Sequence, residues 1–378
     1  MLKNIPFNKP SVVGKEIQYI KNSIRNGHIS GRGPFTIKAE NILKKQIFSS
    51  GDIFLTTSCT HALEISSILV DFKKGDEVIV PSYTFVTSAL AFYMHGAKLV
   101  FADIREDTLN IDENKIEKLI SKKTRCIVVV HYAGVGCEMD NIINIARKYN
   151  LIVVEDNAHG LYAKYKNRFL GTFGHLSTLS FHETKNIICG EGGAIIVNDK
   201  KFIDRTTKIL EKGTDKIKFL KNQVNKYSWI DKGSSYVMSD LLASFLYAQL
   251  EKSKKIIKKR KDIWNYYYEN LSHWALNNNV NLPFVPKYCD QSYHMFYLIF
   301  PNRKTRNQII SYLNQKNIKA IFHYLPLHLA KIIKKQSGKY NCPISIKMSK
   351  RIIRIPFFNS IKKSELNYIV NTIKKFKI

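Results

Sequence analysis

The chain has 378 residues, long for one domain and comfortable for two that share an interface. Hydrophobic residues make up 44% and charged residues 24%, which excludes disorder over most of the length. Sixty Lys and Arg against thirty Asp and Glu give a formal charge of +30, which raises nucleic acid, an anionic membrane or anionic small ligands as partners, with a coding bias towards Lys, Asn and Ile as the plain alternative.

In chain order, Met1 to Pro10 has no apolar core, so no secretory signal is predicted. Ile53–Leu55 reads as a strand, followed by an amphipathic stretch over Ala62–Phe72. Glu77–Val80, Leu99–Phe101, Cys126–Val130, Ile152–Val154, Leu176–Phe181 and Ala194–Val197 continue the alternation of apolar runs with helical patterns. That alternation predicts an α/β domain with a mainly parallel sheet, and ligand-binding residues at the strand ends. Asp240–Leu271 reads as one long helix, with a domain boundary inside it, giving 1–250 and 251–378. Seven of the ten residues Lys252–Lys261 are basic. That run and the aromatics after it are the one candidate nucleic-acid surface, against the simpler reading of a solvated helix face. The remainder reads as a smaller α+β domain, with strands at Met295–Phe300 and Ala320–Phe322 and helices at Lys304–Lys316 and Lys362–Lys375. No run reaches the ~20 apolar residues of a membrane span. The six cysteines form no CxxC pair and suggest neither a metal site nor a disulfide framework, so a reducing cytoplasm is expected.

Four short motifs carry chemistry. Thr57-Ser58-Cys59-Thr60 stands between a strand and a helix, where free backbone N–H groups suit a phosphate, although an ordinary N-cap has the same residues. Phe85, just after strand Glu77–Val80, can stack on a flat ligand or simply fill the core. Val153 to His159 places Asp156 at the tip of an apolar strand. Ser180 to Lys185 runs a strand into a lysine and then into Gly190-Glu191-Gly192-Gly193. A lone lysine in this chain is by default a surface residue, but an amine beside an acid, an anion cradle and an aromatic can condense with a carbonyl cofactor. Together the four specify pyridoxal phosphate.

The stretches SCTHALE, GDEVIVPSYTFVTSA, VVHYAGVGCEMD, VVEDNAHG, SFHETKN, GEGGA, SSYVMSD and HYLPLH resemble the sugar-nucleotide aminotransferases of the DegT/DnrJ/StrS type over nearly the whole chain. The resemblance implies the pyridoxal-phosphate transferase fold of type I (aspartate aminotransferase-like), and a homodimer with shared active sites. It implies that Lys185 holds the cofactor and Asp156 faces its ring nitrogen. Cys59, Thr60 and Ser180 would bind its phosphate, Phe85 would stack on the ring, and His159 would lie at its hydroxyl edge. His328 would approach the nucleotide sugar. Many members have an Asn that reaches the partner's cofactor phosphate, and Ser235 stands there in this chain. SFHETKN, HYAGV-x-CEMD and GSSY-x-MSD are most similar to members that make dTDP-4-amino-4,6-dideoxygalactose for O-antigen or enterobacterial common antigen. That implies L-glutamate as donor and a dTDP-linked 4-keto-6-deoxyglucose as acceptor, with a gluco product, a 3-keto sugar or a UDP-linked sugar as alternatives. The pyridoxamine-dependent dehydratases of this fold have histidine in place of the lysine, so Lys185 argues against that chemistry.

Overall fold

The computed structural model describes residues 4–47, 51–220, 222–335 and 340–377. Its centre is a seven-stranded sheet: β1 (Asp52–Thr56), β2 (Glu77–Pro81), β3 (Lys98–Ala102), β4 (Thr124–Val130), β5 (Ile152–Asp156), β6 (Leu176–Ser180) and β7 (Gly193–Val197), in spatial order β1-β7-β6-β5-β4-β2-β3. Neighbours from β6 through to β3 run parallel, while β7 is antiparallel to both β1 and β6. All seven lie where the sequence pattern puts them. The strands are apolar on both faces because helices cover both, and β2 and β7 are buried along their whole length.

Helix α1 (Glu16–Arg25) and helix α2 (Pro34–Gln46) precede the sheet. Helix α3 (Cys59–Val70) follows β1 directly, and Ser58 caps it by accepting the His61 N–H. Gly193 at the start of β7 lies against this helix start, where an added Cβ would come within 2.4 Å of Cys59 N. Only glycine lets the strand approach so closely.

The single long helix expected over 240–271 is two: α4 (Asp240–Glu251) and α5 (Ser253–Asn277), broken at Lys252. Neither Pro nor Gly stands there. Along α5 the lysines of the basic run face solvent, whereas Arg260, Trp264 and Tyr267 are buried and Tyr268 stacks on Trp264.

The C-terminal part is built on a two-stranded antiparallel ladder, β8 (Tyr297–Ile299) with β9 (Ile352–Arg354). Helices α5, α6 (Arg303–Gln315) and α7 (Lys363–Lys374) share one apolar core with that ladder, including Tyr267, Phe296, Ile309, Ile353 and Ile369. Ile5 enters the same core and bridges Ile318. The strand expected at Ala320–Phe322 does not form, and Ile321 makes an isolated bridge to Arg354. Among the described residues, no helix is long and apolar enough to cross a membrane.

Candidate active site

The C-terminal ends of β2, β4 and β5, the start of α3 and the loop after β6 surround a cavity of about 640 Å³. Six of the residues singled out in the sequence line it: Cys59, Thr60, Phe85, Asp156, His159 and Lys185. They are spread over residues 59 to 185, and crossing over between parallel strands is what brings them to one rim.

Asp156 is the last residue of β5 and is buried. Its Oδ2 accepts a hydrogen bond from Ser88 Oγ at 2.6 Å, and Oδ1 accepts from the Ala158 N–H at 3.2 Å. Glu155, one residue earlier, points to the other side of the sheet. There it accepts from the amides of Gly171, Phe173 and Gly174 and from His131, so its role is to hold that loop. Alternation along the strand separates the two acids.

Lys185 follows β6 in a tight loop in which its N–H bonds the His182 carbonyl. Burial of the amine outweighs the attraction of Asp156 and brings its pKa down from 10.5 to about 8. Burial, with Asp156 nearby, pushes the Cys59 thiol up to about 12. Cys59 is therefore a neutral donor, with Sγ 3.5 Å from Thr178 Oγ1.

Four cavity residues from the C-terminal half escaped the sequence reading: His294, His323, Tyr324 and Arg354. His159 and His294 stack face to face, ring centres 4.2 Å apart. His323 Nδ1 lies 3.0 Å from Tyr132 OH, and its Nε2 accepts from Arg354 Nη1 at 3.1 Å. Burial drives all three histidines well below their ordinary pKa, so they are neutral.

Three residues singled out in the sequence lie off the cavity lining. His328, in the motif His323 to His328, turns back under the β2 loop, where its Nδ1 meets Ser82 Oγ. The turn Leu327–Leu329, anchored by the Leu327 N–H on Ser82 O, reverses its direction, so His323 is the histidine of that motif facing the cavity. Ser180 is the half-buried last residue of β6, paired with Gly193. Ser235 is exposed and bridges Glu211.

Two buried polar atoms on this lining have no hydrogen-bond partner: His159 Nδ1 and Arg354 Nε. No carboxylate pairs with the Arg354 guanidinium among the described residues. Orphaned donors and acceptors at a cavity wall mark where a ligand completes the bonding. A pyridoxal phosphate fits this set: an acid at a strand tip, a half-buried amine, a helix start for the phosphate and an aromatic at the rim. No cluster of His, Cys, Asp and Glu suited to a metal occurs among the described residues.

Residues 10–374 match the model of the DegT/DnrJ/EryC1/StrS aminotransferase family. The uncharacterized protein MJ1066 of Methanocaldococcus jannaschii is 34% identical, over 98% of this chain and 96% of its own. GDP-perosamine synthase of Escherichia coli O157:H7 is 31% identical, over 99% of both chains. Among solved structures, Streptococcus pneumoniae Spr1654, described as a sugar aminotransferase, superimposes in its PMP form with a TM-score of 0.90 at 26% identity, over 98% of both chains.

Proposed function

The chain belongs to the DegT/DnrJ/EryC1/StrS aminotransferase family and uses pyridoxal 5′-phosphate; within that family we propose that it moves the amino group of L-glutamate to C4 of dTDP-4-keto-6-deoxyglucose. The products are dTDP-4-amino-4,6-dideoxygalactose, for cell-surface polysaccharide, and 2-oxoglutarate. The observation that carries this reading is the convergence of Lys185, Asp156, His159, Cys59, Thr60 and Phe85 on one cavity.

When bound, pyridoxal phosphate supplies an electron sink for the carbon that loses its proton. Lys185 would hold it covalently, Asp156 would pair with its ring nitrogen, and the first turn of α3 with Ser180 would take its phosphate. Phe85 would cover one ring face and His159 would meet its hydroxyl edge. Once released, the Lys185 amine takes the α-proton from the donor and later returns a proton to sugar C4. A pKa of about 8 keeps a useful share of that amine unprotonated near neutrality. Arg354, its charge faced by no acid, takes a carboxylate of glutamate and then of 2-oxoglutarate. The face from which Lys185 delivers the proton sets the configuration at C4.

We further place the domain boundary at residues 250/251, beside the break at Lys252. We assign a homodimer in which the exposed Ser235 reaches the partner's cofactor phosphate. Six free cysteines, five of them buried, fit a reducing cytoplasm.

The relative named GDP-perosamine synthase favours a GDP-linked sugar as second reading. Purified protein with glutamate and the dTDP-, GDP- or UDP-linked 4-keto-6-deoxy sugar, followed by product NMR, decides between them. An axial C4 amine on the dTDP sugar is expected. Faster turnover of the GDP sugar would move the assignment to the second reading, and no amine on any of the three would refute both.

A further inference from the structure

The segment Gln291–Met295 enters β8 while touching three loops of the large sheet. The Ser292 N–H donates to Gly134 O, and Ser292 Oγ donates to His159 O at 2.5 Å. Gly134 has φ +82°, and a Cβ there would collide with Ser292 Oγ. Asn186, the residue after Lys185, donates from Nδ2 to Ser292 O at 2.7 Å. That contact fixes which way its amide faces, so Oδ1 is the atom 3.0 Å from His294 Nδ1. Oδ1 can only accept, which places the proton of the neutral His294 ring on Nδ1.

The segment is itself held from behind. The buried Arg260 of α5 donates to Tyr293 O at 2.9 Å and to His294 O at 2.5 Å. Tyr293 sits at φ 55°, a left-handed conformation costly for a tyrosine. A strained residue pinned by a buried guanidinium aims the next side chain, His294, at the lysine loop.

We propose that His294 and Asn186 are a positioning pair: their hydrogen bond fixes the loop carrying Lys185 against the C-terminal domain and keeps water from its amine. The proposal rests on the reading of Lys185 as the cofactor-bearing amine. The titratable and charged groups around that amine are Cys59, Asp156, Arg354, His159, His294 and His323. Burial is the largest cause of its lowered pKa, so loosening the loop should act through water entry.

The test uses cofactor-free protein, with Lys185 acylated by acetic anhydride across neutral to alkaline pH and read by peptide mass spectrometry. In the wild type the midpoint is expected at about 8. His294→Phe keeps the stack on His159 but loses the N–H, and Asn186→Ala removes the acceptor. Each should move the midpoint up towards the ordinary lysine value; His294→Phe should weaken pyridoxal phosphate binding about tenfold, as expected for one lost buried hydrogen bond, and Asn186→Ala at least as much, since its bond to Ser292 O goes too. The double variant should move it no further than Asn186→Ala alone, and His294→Gln, which retains a donor, should restore it. His294→Ala, which only deletes atoms and leaves the Asn186 contact with Ser292 O in place, carries the test if His294→Phe does not fold. An unchanged midpoint in a folded single variant, or a double-variant shift equal to the sum of the singles, would overturn the pair. The labelling reads a bare amine, so its failure leaves the cofactor assignment standing, and Lys185→Ala losing the bound cofactor's visible absorbance checks that separately.

Discussion

Replacing Lys185 with methionine should make the cofactor-free protein more stable, by an amount that depends on pH. The side chain occupies a similar volume without the charge. In the folded chain the amine's pKa is about 8, against 10.5 for an exposed lysine. At about 1.4 kcal/mol per pKa unit, keeping this amine in the folded site costs about 3 kcal/mol near pH 7. The folded value lies below the unfolded one, so the cost is complete below about pH 8 and fades as pH rises towards 10.5. Near pH 9.5 roughly 1.4 kcal/mol of it remains. The facing histidines are held neutral and Cys59 titrates at about 12, so neither changes charge in that window. Urea unfolding of wild type and Lys185→Met, both without cofactor, measures the gap. The variant should lead by about 3 kcal/mol near pH 7 and by about half that near pH 9.5. Methionine's own packing adds a constant, so the pH dependence is the diagnostic part. A gap that is flat with pH, or a variant no more stable near pH 7, would refute the claim that this amine is held in the cavity wall at a cost to stability.

Two further outcomes follow from the same cavity. Asp156→Asn should still bind the cofactor, as seen by its absorbance, yet slow single-turnover reaction with glutamate by on the order of 10²–10³-fold; a near-wild-type rate would remove Asp156 from the ring nitrogen. Arg354→Ala should raise the glutamate KM roughly 10–100-fold, the worth of a charge-assisted hydrogen bond, while the half-reaction with the keto sugar changes far less. Equal damage to both half-reactions would count against a carboxylate role.

Much of the large sheet was legible because buried parallel strands leave continuous apolar runs, and the residues after those runs fall at the rim where ligands bind. Asp156 and Lys185 could be read this way because each ends or follows such a run. His294, His323, Tyr324 and Arg354 could not. Arg354 ends a strand of three residues in the C-terminal ladder and the others lie beside it, and their arrival at the cavity depends on how that ladder packs against the large sheet. His323 and His328 occupy the same motif, and only the turn at Leu327–Leu329 decides which one faces the ligand. The break at Lys252 had no local signal, since its backbone φ of −104° is open to any residue. Ala320–Phe322 has strand composition, but the neighbouring β9 is too short to pair with it beyond one bridge.

The pairing of β1 with β7 has a consequence for synthesis on the ribosome. β1 is an outer strand of the sheet, and its ladder partner there, residues 193–197, is made about 140 residues later. At about 5–20 residues per second that is a wait of roughly 7–28 s. Through that interval the hydrophobic strand Asp52–Thr56 and the helix start meant for the phosphate stand without the neighbour that Gly193 brings against them. An open strand edge of this kind is a template for pairing with another nascent chain. The cofactor cradle is thus among the last parts of the large sheet to close, and a translational pause between β1 and β7 should lower the yield of soluble protein.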